Sequence, residues 1–230
     1  MKKEIYQTLF PYIDDSYRDF QSRILNSQLP LLGIRMKYLR TYAKKILKED
    51  PTAFLNENPI EYAEDEFLYV LVVGQMKCDP SIRFTYIDQI IHLTDQWCTI
   101  DTLCSCLKKT LIPNKDLYNK ALNYLDDPYP FAKRFGYVLL LQLFAKSNTL
   151  QILKDIHFKQ VSSYYEQMAK AWLYCECCIY KPNETLQALS QLEDDTVFRY
   201  SISKINDSTR IDLKIKNRAK DLRSTKGTKR

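Results

Sequence analysis

The sequence predicts an all-α fold, a curved α-solenoid of helical repeats with a concave binding face. Three observations predict it. Glycine is scarce, 4 in 230 residues, too few for the turns of a dense β architecture. Apolar residues recur at a helical period in one segment after another. The longer helical segments start near residues 35, 62, 98, 131, 163 and 196, at intervals of 27 to 36 residues, with shorter outer helices between longer inner ones. A pair of that size cannot bury its own apolar face, so neighbours stack into one continuous core.

The elements follow in order. Residues 3–12 and 15–26 read as short helices; Pro11 ends the first, and Asp14 and Asp15 offer an N-cap to the second. Pro30 to Arg35 turns into a helix over about 36–48, and Pro51 and Pro59 punctuate a short one. The helix over 61–77 carries Glu64, Asp65 and Glu66 in its first turn, where acids suit the helix dipole. Pro80 opens the next, to about His92. Thr94 or Asp95 should cap the helix bearing Trp97 and Asp101, which ends before Pro113. Residues 114–125 follow, and Asp126-Asp127-Pro128-Tyr129-Pro130 is a break. The segment 131–145 is apolar nearly all round and should be central. Helices near 149–157, 161–179, 183–192, 195–206 and 209–222 complete a single domain over 1–223, with 224–230 a basic, disordered tail.

Composition excludes several classes. No apolar run approaches the roughly 18 residues of a membrane span, and the basic N-terminus has no apolar stretch behind it, so no secretory signal is expected. Seven cysteines in such a chain suit a reducing, cytoplasmic setting. The net charge is +6. The segment 204–230 holds ten basic residues against Asp207, Asp212 and Asp221, which leaves residues 1–203 near neutral. A basic end of this kind is a phosphate-binding arm or merely a solubilising one. Cys104 and Cys106, and Cys175, Cys177 and Cys178, lack zinc spacing and read as core. His92 and His157 have no acid or nucleophile at a telling spacing. There is no glycine-rich phosphate loop, H-E-x-x-H or G-x-S-x-G.

Two positive signals remain. Trp97 and Asp101 stand four apart, on one helical face. Trp172 occupies a similar place in a later helix. A carboxylate between aromatic faces suits a flat cation, although a core tryptophan beside an early-helix acid is the plain alternative. Lys133-Arg134 opens an apolar helix and needs an acid, a phosphate or solvent. The repeat register places Trp97, Asp101, Arg134 and Trp172 on three successive inner helices, hence on one concave face.

An opening motif, Asp15-Ser16-Tyr17-Arg18-Asp19-Phe20, then Leu32-Gly33-Ile34-Arg35 and Leu39-Arg40, is followed at repeat spacing by Glu64-Asp65-Glu66-Phe67, Thr94 to Asp101, Phe131-Ala132-Lys133-Arg134 and Met168-Ala169-Lys170-Ala171-Trp172. In these stretches, over about residues 14–222, the chain resembles the AlkD-like DNA alkylation repair family of HEAT-like-repeat proteins. The resemblance implies N-glycosylase activity on cationic N3- or N7-alkylpurines in double-stranded DNA. Asp101 would be the catalytic carboxylate, Trp97 and Trp172 the lesion or sugar contacts, and Arg134 with Lys133 the phosphate contacts. The protein would act as a monomer, with no metal, no cofactor and no membrane. Where the family often has proline after Gly33-Ile34-Arg35, this chain has Lys37, a change that touches helix initiation rather than chemistry. The short N-terminal helices resemble a divergent branch, some of whose members keep the fold with weak or absent excision. The alternative reading is therefore a non-catalytic module that binds DNA or protein.

Overall fold

The computed structural model describes residues 2–25, 27–57 and 60–227. Fourteen α-helices and one short 3-10 turn account for the regular structure among them. No strand occurs among the described residues; the nearest thing is an isolated antiparallel bridge between Ile13 and Ile34. Contacts divide the chain into two compact units, Met1–Ile112 and Pro113–Arg230.

The first unit contains α1 (Lys2–Leu9), α2 (Asp15–Ile24), α3 (Met36–Lys48), α4 (Pro51–Glu57), α5 (Ala63–Val73), α6 (Pro80–Ile91) and α7 (Trp97–Leu107). α3 packs on α5 and α5 on α7, while α4 and α6 lie against α5. Every residue of α5 is buried. Each of its large apolar side chains contributes about 1.5–3 kcal/mol by leaving water, so α5 is the spine of this unit. Asp14 caps α2 by accepting from the Tyr17 N–H at 3.0 Å. It also accepts from the Ser16 hydroxyl at 2.6 Å and from Arg35 at 2.7 Å, and these bonds hold its carboxyl below the usual carboxylate range. Gly33 is left-handed (φ +84°), and a Cβ there would meet the Asp14 carbonyl oxygen at 2.6 Å. Only glycine takes both that dihedral and that approach without strain.

The second unit contains α8 (Lys115–Tyr124), α9 (Pro130–Leu143), α10 (Ala145–His157), α11 (Tyr164–Tyr180), α12 (Pro182–Ser190), α13 (Asp195–Asp207) and α14 (Leu213–Gly227). α9, α11 and α13 pack in sequence, with α8, α10 and α12 beside them. This neighbour-on-neighbour packing is that of a helical-repeat solenoid. α9 is largely buried, as its all-round apolarity predicts. A Cβ at Gly136 would stand 2.7 Å from the Ala121 carbonyl oxygen, so this glycine sets how closely α8 and α9 approach.

The six long helices begin within one residue of the starts read from the repeat. Other boundaries differ: the helix expected over 61–77 ends at Val73, and the one expected from 209 starts at Leu213. The helix expected from 149 runs from Ala145 as α10, with a non-helical Asn148 (φ −122°, ψ 22°) where a break was expected. The tail expected from 224 continues as α14 to Gly227, because Ile215, Ala219 and Leu222 give that segment an inward face; residues 228–230 lie outside the described residues, as does Pro59. The cap of α7 is neither Thr94 nor Asp95 but Gln96, which makes no side-chain capping bond.

Candidate functional site

That missing cap has a physical cause. The Glu66 carboxylate, buried on α5, accepts from the Thr94 hydroxyl at 2.6 Å, the Gln96 amide at 3.0 Å and the Thr99 hydroxyl at 2.8 Å. All three donors reach the same oxygen. The Thr94 and Gln96 side chains are thereby held on Glu66, and Gln96 stands at the capping position without a side-chain capping bond. Asp95 is used elsewhere: its carboxylate accepts from the Gln28 N–H at 2.8 Å. Burial pushes the Glu66 carboxyl above its ordinary value, and the three hydrogen bonds pull it back.

The two acids beside it have separate tasks. Glu64 accepts from the backbone N–H groups of Leu32, Gly33 and Ile34 at 3.0, 2.8 and 3.2 Å. Asp65 accepts from Glu61 N–H and Tyr62 N–H at the start of α5, and from the Tyr6 hydroxyl of α1 at 2.9 Å. All three acids stand in the first turn of α5, as the helix dipole favours. Each also anchors a different segment, and no spacing rule in the sequence announces that.

On the helix so anchored stand Trp97 and Asp101, one turn apart and both half-buried. Thr99, Ile100, Leu103 and Cys104 form the buried side of α7. The Trp97 indole N–H donates to the Ile24 carbonyl oxygen at 3.4 Å, at the end of α2. With Asp95 on Gln28, this gives the start of α7 one tie to the end of α2 and one to the segment that follows it. Cys98 lies between them in sequence, and burial pushes its thiol up to about 12. It is not a thiolate nucleophile at neutral pH. The same holds for Cys175 and Cys178, pushed up by burial to about 11 and about 12, in keeping with a core role.

In the second unit, Arg134 is buried and donates to the Tyr165 carbonyl oxygen at 3.1 Å. Lys133 stands 3.8 Å from the buried Glu166 carboxylate. Glu166 also accepts from the Ser162 N–H at 3.0 Å, while Ser163 caps α11. The first turns of α9 and α11 are thus joined by an ion pair, a hydrogen bond and the Phe131–Tyr165 ring contact at 5.2 Å. Of the partners the sequence allowed for the Lys133-Arg134 pair, Lys133 has the acid. Trp172 is half-buried on α11. Two residues earlier, the buried Lys170 ammonium donates to the Lys159 carbonyl oxygen at 2.6 Å, two residues past the end of α10. Burial lowers its pKa to about 8. Lys170 appeared in the sequence only as part of a motif. Its role as a tie between α10 and α11 has no signal there.

A second group of basic positions, on and before α3, is divided. Arg35 pairs with Asp14 and Lys45 with Glu4, while Lys37, Arg40, Lys44 and Lys48 are exposed. No helix among the described residues is long and apolar enough to cross a membrane. No curated protein matches the chain. The family model described as DNA alkylation repair enzyme matches residues 5–205. That span runs from α1 to α13 and includes each acid anchor and each candidate residue; the chain belongs to the AlkD-like DNA alkylation repair family.

Proposed function

We propose that the protein is a DNA N-glycosylase that releases cationic N3- or N7-alkylpurines from double-stranded DNA. The observation that carries this is the pairing of Trp97 with Asp101 on one face of α7, both half-buried, in a chain of the DNA alkylation repair family. A positively charged purine is already a good leaving group. Its departure leaves an oxocarbenium-like sugar, which an ionised Asp101 stabilises electrostatically while orienting a water. Trp97 and Trp172 contact the lesion or its sugar and favour the cation through their ring faces. Arg134 and Lys133 bind backbone phosphate and hold the strand. No general acid is needed, and the scheme uses no metal or cofactor. The protein acts as a single-chain monomer in the cytoplasm, with 1–223 as one repeat domain.

A second reading has its own support. Arg134 donates to a main-chain carbonyl and Lys133 faces a buried acid, so both basic residues already have protein partners. On that reading the chain is a DNA- or protein-binding scaffold without excision. The experiment that separates the two is base release from methylated duplex DNA by wild type and Asp101→Asn. Release by wild type alone supports the enzyme. Absence of release by either, with DNA binding retained, supports the scaffold.

A further inference from the structure

The basic end of the chain lies beyond the family match at 205, and it is a docked helix rather than a loose arm. α14 packs on α12 and α13. Ala219 is fully buried, and Ile215 and Leu222 are half-buried on the same side. The Lys226 ammonium sits 4.3 Å from the centre of the Phe198 ring and donates to the Leu192 carbonyl oxygen. Arg218 donates to the Asn183 side chain at 2.7 Å. A solubilising tail requires none of these contacts.

On a different side of α14 stand Lys216, Lys220 and Arg223, spaced i, i+4 and i+7. That spacing puts them in one row about 10 Å long. Lys220 and Arg223 are exposed and Lys216 is half-buried. The helix has one acid, Asp221, turned roughly 100° or more away from the row. One strand of a DNA duplex carries a phosphate about every 3.4 Å along its axis, so the row spans about three phosphates. A membrane surface fits less well. The apolar side of α14 is spent on α12 and α13, and Leu213 is its one exposed large apolar side chain. Little is left to insert between lipids.

We propose that α14 is an auxiliary contact for duplex DNA, in which Lys216, Lys220 and Arg223 neutralise backbone phosphates without reading sequence. It holds the protein on undamaged DNA. This rests on the DNA-directed reading above but not on excision.

The test is the salt dependence of binding to an unmodified duplex. Three proteins are compared: wild type, the variant Lys216→Gln/Lys220→Gln/Arg223→Gln, and a control of equal charge, Lys115→Gln/Lys146→Gln/Lys154→Gln, on α8 and α10. Thermal melts check that all three are folded. The α14 variant should bind about tenfold more weakly near 0.1 M salt, with the slope of log K against log salt shallower by about 2 to 3. The control should stay within about twofold. Equal behaviour of the two variants, beside a wild type that binds, overturns the α14 contact alone. A wild type that binds no duplex overturns the DNA reading and this inference with it. Loss of binding to phosphatidylserine vesicles, with duplex binding unchanged, overturns it in favour of a membrane contact.

Discussion

The Glu66 carboxylate on α5 accepts a hydrogen bond from the Thr99 hydroxyl at 2.8 Å, midway in sequence between Trp97 and Asp101. Trp97 and Asp101 therefore sit on a helix whose first turn is fixed from inside the core. Glu66→Ala would leave three buried donors without their acceptor. Each such loss costs about 1–3 kcal/mol, and partial relaxation should bring the total to roughly 3–4 kcal/mol, read from urea unfolding. Glu66→Gln keeps an oxygen for the same donors and should cost about 1 kcal/mol. It should also alter the acid limb of stability. The folded pKa of Glu66 is raised, so this group's contribution falls as pH rises from its unfolded value through its folded one. Relative to Glu66→Gln, wild type should therefore be more stable at the acid end of that window than at neutral pH.

Gly33 offers a sharper test of the opening motif. Gly33→Ala meets both a left-handed backbone and a main-chain oxygen 2.6 Å from the new Cβ. The expected loss is about 2–4 kcal/mol. Within the second unit, Gly136→Ala, whose new Cβ meets the Ala121 carbonyl oxygen, should also destabilise. Melting of the two variants, followed separately, tells whether the two compact units unfold together.

Lys170 predicts an opposite pH trend. Its pKa falls from 10.5 to about 8 on burial. Between those values the unfolded chain holds more protons, so this group's contribution to stability rises with pH across that window. The full change is roughly 3 kcal/mol. Ionising tyrosines and cysteines of the unfolded chain work against stability in the same range. The measurement is therefore the difference between wild type and Lys170→Met at pH 7.5 and pH 10, which should shift toward wild type.

Much of the fold was legible in the sequence, and the reason is local. Proline, glycine scarcity and apolar period fix where helices begin, and the long starts fall within a residue of those read. What was not legible depends on partners distant in sequence. Thr94 looks like a cap for α7 until Glu66, 28 residues earlier, takes its hydroxyl. Lys133 reads as a phosphate ligand from the sequence, and the sequence gives no sign that Glu166, 33 residues later, stands beside it. The basic end reads as a tail because its charge is obvious and the fit of Ala219 against the core is not. Trp97 and Asp101 were legible as a pair because one helical turn separates them.

Arg134 and Lys133 discriminate between enzyme and scaffold. If they bind phosphate, Arg134→Gln and Lys133→Gln should each flatten the salt dependence of DNA binding by about 1. If their protein partners are their whole role, both variants lose stability with the slope unchanged.

The central claim is that Asp101 stabilises a sugar cation. The direct measurement is single-turnover release of 7-methylguanine from methylated duplex DNA, at protein concentrations that saturate binding. Asp101→Asn keeps the size and removes the charge. The account predicts release by wild type and a loss of roughly a hundredfold or more in Asp101→Asn, with duplex affinity within about twofold. Equal release by the two proteins would contradict it.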